Sequence, residues 1–288
     1  MLDAVRRPVS PLRLDGLATA LVWSVAGLIS ATFLWIVCDL LRHGLPQISW
    51  SFLADAPRDA GRAGGILPIV ASTLWILVIC LGVALPLGVG TALLLSEFSA
   101  SDGRFVRVVR TSLDALAGVP SIVFGLFGNA FFCVALGLGF SILSGGLTLA
   151  CMSLPLLIRA TEEGLRSVPN DYRLAAAALG MSRSRTIFRV ILPCATPGLA
   201  AGVVLGVGRA IAETAALIFT SGYVDRMPES WLDSGRALSI HIYDLSMNVP
   251  GAEANAYASA LILLIVLLAI NACVLQLQER WVGRREVA

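Results

Sequence analysis

Long apolar runs, separated by short charged segments, constrain this chain more than any other feature. A helix that crosses a bilayer needs about 20 mostly apolar residues. Six segments of the 288-residue sequence come close: Leu17–Leu41, Ile66–Leu95, Pro120–Phe140, the shorter Leu143–Ile158, Gly198–Thr220 and Tyr257–Leu277. Hydrophobic residues make up 57% of the chain and charged residues 14%, with a mean hydropathy of +0.83. Soluble domains carry about 25% charged residues, so this chain has too little polar surface to live in water. Ten-residue alternation, the mark of a membrane barrel, is absent, and run length favours helices. The expected fold class is all-α: a polytopic membrane bundle of about six transmembrane helices. Secreted disulfide scaffolds, disordered tails and soluble enzymes are excluded.

The basic residues orient the bundle. All 21 are arginine. With six spans both tails share one side, and that side holds fifteen of them: Arg6, Arg7 and Arg13, the 104–110 group, the 159–189 group, and Arg280, Arg284 and Arg285. The opposite loops hold five, and Arg209 falls inside the fifth span. The bias places both termini in the cytoplasm. The reading is therefore a cytoplasmic tail at 1–16, a membrane domain at 17–277 with a cytoplasmic loop at about 162–193, and a second cytoplasmic tail at 278–288. The Arg6-Arg7 pair before an apolar run imitates a signal peptide, but the run is too long for one and no small-residue cleavage site follows. The loops at 43–65 and 221–256 face outward.

Missing residue types narrow the chemistry. Without lysine there is no P-loop and no Schiff base. No HExxH or GxSxG string is present, so enzyme chemistry ranks last. A net charge of +2 does not argue for nucleic acid. The six cysteines, Cys38, Cys80, Cys133, Cys151, Cys194 and Cys273, have no metal-ligand spacing and read as small core residues. His43 and His241 are far apart, so no metal site is expected. Leu143-Ser144-Gly145-Gly146 imitates an ABC signature and reads as coincidence or close helix packing. Pro86 and Pro120 read as kinks.

The most informative stretch is Ser167–Pro193. Asn170 or Asp171 can cap a helix through Leu174–Leu179, and Gly180 sits where a left-handed C-terminal cap is needed. A second segment, Ser184–Leu192, sets Ile187, Val190 and Ile191 against Arg183, Arg185 and Arg189, with Pro193 at its end. Such a helix–glycine–helix unit either inserts into a groove on another protein or lies on the lipid surface.

Within the fifth span, Arg209 and Glu213 are four residues apart, which would put them on one helix face as a pair. Unpaired, an arginine at mid-bilayer costs about 2.5–3.5 kcal/mol. Arg159 closes the fourth span and is a candidate for the same cavity. Guanidinium groups match an oxyanion with forked donors; the alternative is an ion pair that never meets cargo. Asp114 reads as structural.

AAAALGMSRSRTIFRVILP, residues 175–193, resembles the EAA loop of ABC-importer permeases. The 64–99 segment, GVPSIVFGLFG at 118–128, SLPLLIRATEEGLRSVPNDYR at 153–173, LGVGRAIAETAALIFTSG at 205–222 and LSIHIYDLSMN at 238–248 are similar to the phosphate branch of that family, its PstA type rather than its PstC type. The resemblance covers roughly residues 60–275. It implies a type I importer permease in the bacterial inner membrane that moves inorganic phosphate. Implied partners are a PstC-type second permease, an ATPase dimer and a periplasmic phosphate-binding protein; ATP and Mg belong to the ATPase, and this chain binds no cofactor. It also implies that Arg159, Arg209 and Glu213 line the pathway, and that Asp171, Ala175, Ala176, Gly180, Ile191 and Pro193 belong to the ATPase-coupling loop. Leu174 departs from the family, which has a glutamate there; Glu162, Glu163 or Asp171 are the candidate substitutes. Phosphonate or phosphite cargo, and ion-coupled transport without an ATPase, remain alternative readings.

Overall fold

The computed structural model describes residues 12–99 and 103–286. The arginines at positions 6 and 7 lie outside them. Without water to bond to, backbone amides in lipid must pair within their own segment, and nearly every described apolar run is a helix. They are α1 (Leu12–Gly44), α2 (Trp50–Ala54), α3 (Leu67–Leu93), α4 (Arg104–Ala117), α5 (Ser121–Gly128), α6 (Ile142–Ser167) and α7 (Asn170–Ala178). There follow α8 (Arg183–Thr186), α9 (Leu192–Cys194), α10 (Thr196–Ile211), α11 (Ala215–Ile218), α12 (Leu238–Met247) and α13 (Glu253–Glu286). Wide π-turns extend α3 over Leu94–Phe98 and α5 over Asn129–Ala135, and another joins α8 to α9. A two-residue hairpin, β1 (Pro57–Arg58) with β2 (Ala63–Gly64), folds the loop before α3.

Four helices are long and apolar enough to span a membrane, and two bent pairs bring the number to six if each pair is one span. The differences from the sequence-based spans have local causes. The third span starts at Pro120 as expected but ends at Ala135, and α4 before it is a separate helix, bent by 101° from α5 across Gly118–Pro120. Pro120 is the N-cap of α5 and cannot continue the preceding helix. What remains, Ser121 to Ala135, is about 22 Å long, short of a hydrocarbon core of about 30 Å. The fourth span runs on to Ser167, because Arg159, Glu162 and Arg166 neutralise one another there. The fifth span stops at Ile211 and restarts at Ala215. α3 runs unbroken through Pro86, where a kink was expected. Both presumed tails are partly helical, since α1 begins at Leu12 and α13 reaches Glu286.

α6 is the central helix, packed between α3 and α10. Small residues let the backbones approach. A Cβ on Gly146 would lie 2.6 Å from Ile79, and one on Gly145 2.8 Å from Ser221, so the 143–146 string is a packing device. Gly164 meets Gly198, and Gly202 meets Ala160. Ile76, Cys80, Leu149, Met152, Val207 and Ile211 fill the middle. Leu95, Val106, Leu165, Ile187 and Ile191 fill one end. Phe52, Ile66, Ile69, Leu238 and Ile262 fill the other. All six cysteines are free; Cys80 and Cys133 are buried as expected, whereas Cys38, Cys194 and Cys273 lie on the outer surface. No cluster among the described residues has metal-ligand composition. α1 packs only near its end, where His43 meets Tyr257 at 5.0 Å, and leaves Trp23 and Trp35 exposed.

Candidate functional site

The charged residues of the fifth span do not form the expected pair. Arg209 lies in the last turn of α10, whereas Glu213 lies beyond its end, in the break before α11. Glu213 Oε1 accepts the Ala216 amide at 3.0 Å, and its carbonyl accepts the Ser239 hydroxyl at 2.6 Å. The glutamate thus caps α11, a role that satisfies an otherwise orphaned donor. Arg209 has no hydrogen bond or ion pair among the described residues. It is half-buried, and it shares its face of α10 with exposed Ala201, Leu205 and Ala212, opposite the packed Val207 and Ile211. It is the fourteenth residue of the helix, about 20 Å from the start. This guanidinium therefore stands near the far end of α10 and faces a surface that the described residues leave open.

Arg159 stands elsewhere. Its guanidinium bonds Asp114 at 2.5 Å and the Arg110 carbonyl at 3.2 Å, and approaches Glu162 at 3.7 Å. Glu162, only 4% exposed, also receives Arg110 at 2.7 Å and Arg166 at 3.1 Å. The expectation that Asp114 is structural holds in this respect: it ties α4 to α6. The α6–α10 register pairs Gly164 with Gly198 and Ala160 with Gly202. By extension Arg209 is level with Ser153, about 9 Å along the axis from Arg159. The two arginines mark two levels rather than one cavity. A cavity of about 360 Å³ opens beside Arg159, lined by Glu162, Glu163 and Arg166.

The 167–193 loop folds as a helix, a glycine turn and a second helical arm. Gly180 has φ +68°, the left-handed cap that a side chain resists, and its amide donates to the Ala177 carbonyl at 2.9 Å. Neither Asn170 nor Asp171 caps α7; its N-cap is Pro169, which offers no side-chain acceptor, and Asp171 lies in the first turn. There it favours the positive end of the helix dipole. Ile187 and Ile191 are buried in the apolar cluster with Leu95 and Leu165, and Ala176 is buried in the turn between the two arms. Pro193 sits inside the second arm, whose axis bends by 63° only at Ala195; the π-turn before it absorbs the amide that Pro193 lacks. Asp171, Ala175 and Gly180 are exposed, with Leu174 at 61% and Leu179 at 80%. Glu162 is withdrawn into its arginine network, so it cannot replace the missing loop glutamate; Glu163 and Asp171 stay exposed.

Sequence reasoning overlooked Glu97. Its carboxylate, 9% exposed at the end of α3, binds Arg173 of α7 at 2.5 Å. The signal was there: an acid at a span end, opposite the most arginine-rich loop.

The family model of binding-protein-dependent transport system inner membrane components matches residues 84–286. The probable ABC transporter permease protein YqgI of Bacillus subtilis is 32% identical over 93% of this chain and 95% of its own length. The phosphate transport system permease protein PstA of Mycobacterium leprae is 33% identical over 93% of this chain and 90% of its own. Among solved structures, a bacterial ABC transporter involved in alginate import superposes with a TM-score of 0.58 at 16% identity, over 90% of this chain and 96% of that one. At that identity the likeness bears on the fold alone.

Proposed function

The chain belongs to the binding-protein-dependent inner membrane permeases, and from that premise we propose that it is the PstA-type subunit of an importer for inorganic phosphate. That it is a membrane-spanning transport subunit, with ATP hydrolysis in a separate subunit, follows from the family. The cargo rests on similarity to PstA proteins, 33–35% identical over most of the chain, and on one observation: the unpartnered Arg209 on the open face of α10.

A guanidinium left bare in hydrocarbon is costly. Its open face therefore needs either a polar cavity or a second subunit, and a PstC-type sibling opposite α10 would supply both. Phosphate in the resulting passage meets a forked donor that matches its oxygens. Glu213 serves there as the cap that holds the helix break open beside Arg209. Arg159, about 9 Å further along α6, offers a second stage near the cytoplasmic mouth. Its bonds to Asp114 and Glu162 prevent it from holding an anion tightly. Asp171, Ala175, Ala176, Gly180, Ile191 and Pro193 form the coupling loop: Ile191 fixes it to the bundle, Ala176 packs in the turn between its arms, and the exposed positions meet the ATPase dimer. With Leu174 in place of the glutamate, that contact is apolar rather than acidic. ATP and Mg bind the ATPase, a periplasmic phosphate-binding protein delivers cargo at the outer loops, and both termini are cytoplasmic. The spans form the membrane domain, 17–277.

The test is uptake of labelled phosphate in a strain lacking this chain. Wild type should restore it, and Arg209→Gln should restore about tenfold less with assembly intact, as loss of a charged hydrogen-bond partner implies. Equal restoration by both would keep phosphate and reduce Arg209 to a structural residue. No restoration by wild type, with partners present, would move the cargo to phosphonate or phosphite, which the same guanidinium accommodates.

A further inference from the structure

Two arms of the coupling loop grip a single point on the membrane domain. Arg173 is the charged side chain of α7 that turns inward. Its guanidinium embraces both oxygens of Glu97, at 2.5 and 3.3 Å, and donates to the carbonyls of Val168 at 2.9 Å and Leu165 at 3.1 Å. Arg183, across the Gly180 turn at the start of α8, donates to the Glu97 carbonyl and lies 5.1 Å over the Phe98 ring. Both contacts fall within the π-turn Leu94–Phe98 that ends α3.

α3 is a rod about 40 Å long. At its far end, Thr73 Oγ1 accepts the Leu238 amide at 2.8 Å, the first residue of α12 in the outer region. One helix thus joins the loop that meets the ATPase to the segment on the opposite side of the bundle. Beside these polar contacts the loop packs through apolar ones, Ile187 and Ile191 with Leu95 and Leu165. Apolar contacts are non-directional and tolerate sliding. A two-pronged arginine–carboxylate pair, nearly excluded from water, fixes direction as well as distance.

We propose that Glu97, held by Arg173 and Arg183, is the joint through which movement of α7 is passed to α3 and so to the outer end of the pathway. The proposal rests on the coupling-loop reading given above. Glu97 is a positioning residue: it touches neither cargo nor nucleotide, and its effect is on the coupling of hydrolysis to transport.

The experiment uses the whole complex in proteoliposomes, with ATP hydrolysis read as ADP, since phosphate is the proposed cargo. Glu97→Gln, Arg173→Gln and the double variant are compared with wild type. We expect undiminished co-purification with the ATPase, unchanged basal hydrolysis, and stimulation by loaded binding protein reduced at least fivefold in each single variant. The double variant should be no worse than the worse single one, because both remove the same joint. Stimulation at the wild-type level in the single variants would overturn the proposal, and so would effects that multiply in the double variant. If a neutral variant fails to bind the ATPase, Arg173→Lys decides. It keeps the charge and loses the fork, so reduced stimulation supports the joint and full stimulation overturns it. Gly180→Asp is the control for the loop. Full stimulation there as well would count against the coupling-loop reading itself. The wild-type response to phosphate-loaded binding protein, taken alone, reports on cargo.

Discussion

Glu162 receives three guanidinium groups while almost wholly buried. Neutralising it removes the carboxylate that those arginines share, although Arg159 keeps Asp114. Glu162→Gln should destabilise the subunit by about 3 kcal/mol, seen as a lower midpoint of thermal unfolding in detergent; an unchanged midpoint would mean that water already screens the network. His241 makes a second residue-scale prediction. It is 1% exposed in α12, its Nδ1 has no partner, and its ring lies against Gly61. Burial lowers its pKa to about 4, with Arg236 adding to the shift and Asp244 opposing it. The unfolded chain takes up this proton near pH 6.5, the folded one only near pH 4. Acid therefore favours unfolding: stability falls between about pH 6.5 and 4 by about 3 kcal/mol and levels off below. His241→Gln should lose that part of the slope, while carboxylate titration remains in both proteins. Comparing unfolding midpoints at pH 7 and pH 5 isolates it.

At the scale of elements, breaks decided more than runs did. Apolar length marked where helices occur, because lipid leaves the backbone no other partner. Pro120 itself marked the bend before α5, but nothing in the apolar runs marked the stop at Ile211 or the π-turns. The break after Ile211 separates Arg209 from Glu213, and a spacing of four says nothing once the helix has ended. The glycine-turned loop was more legible, since Gly180 and the Ile187/Ile191 stripe act over one or two turns. Gly180 also yields a prediction. Among the described residues, nothing beyond its chain neighbours lies within 4 Å of a Cβ placed there, and aspartate tolerates the left-handed region better than most residues. Gly180→Asp should therefore insert normally yet lose stimulated ATP hydrolysis, because its carboxylate meets only the partner. Loss of insertion instead would make Gly180 a folding residue.

For the whole molecule, the surface left open carries the message. α1 buries none of its apolar window against the rest of the chain, and α10 turns Arg209 to a face that nothing here covers. On the proposed reading, a second subunit covers the Arg209 face. Transport by the assembled complex should accordingly follow ATP. In vesicles loaded with ATP, uptake should survive a protonophore and stop when the nucleotide is removed. The reverse pattern would favour ion-coupled transport, with the fifth span as a relay.

By itself, the sequence determined the solvent in which this protein lives, the helical class, the absence of its own P-loop, and the glycine-turned loop. Each depends on composition or on residues within a few positions of one another. The tertiary structure alone decided that Arg209 stands without a partner, that Glu213 caps a helix, that Glu162 gathers three arginines and that Glu97 holds both arms of the loop. Some of these contacts join distant residues, Glu162 to Arg110 across 52 positions and Glu97 to Arg173 and Arg183 across 76 and 86; others join near neighbours, Glu213 to Ala216 and Glu162 to Arg159 and Arg166, whose side chains only the fold aims at one another. Charge in a sequence shows that a partner is needed; spacing along a helix can name one, as Arg159 and Arg166 show for Glu162, but the partners across helices, Arg110 and Arg173, are decided by packing, because only packing sets the distance between helices.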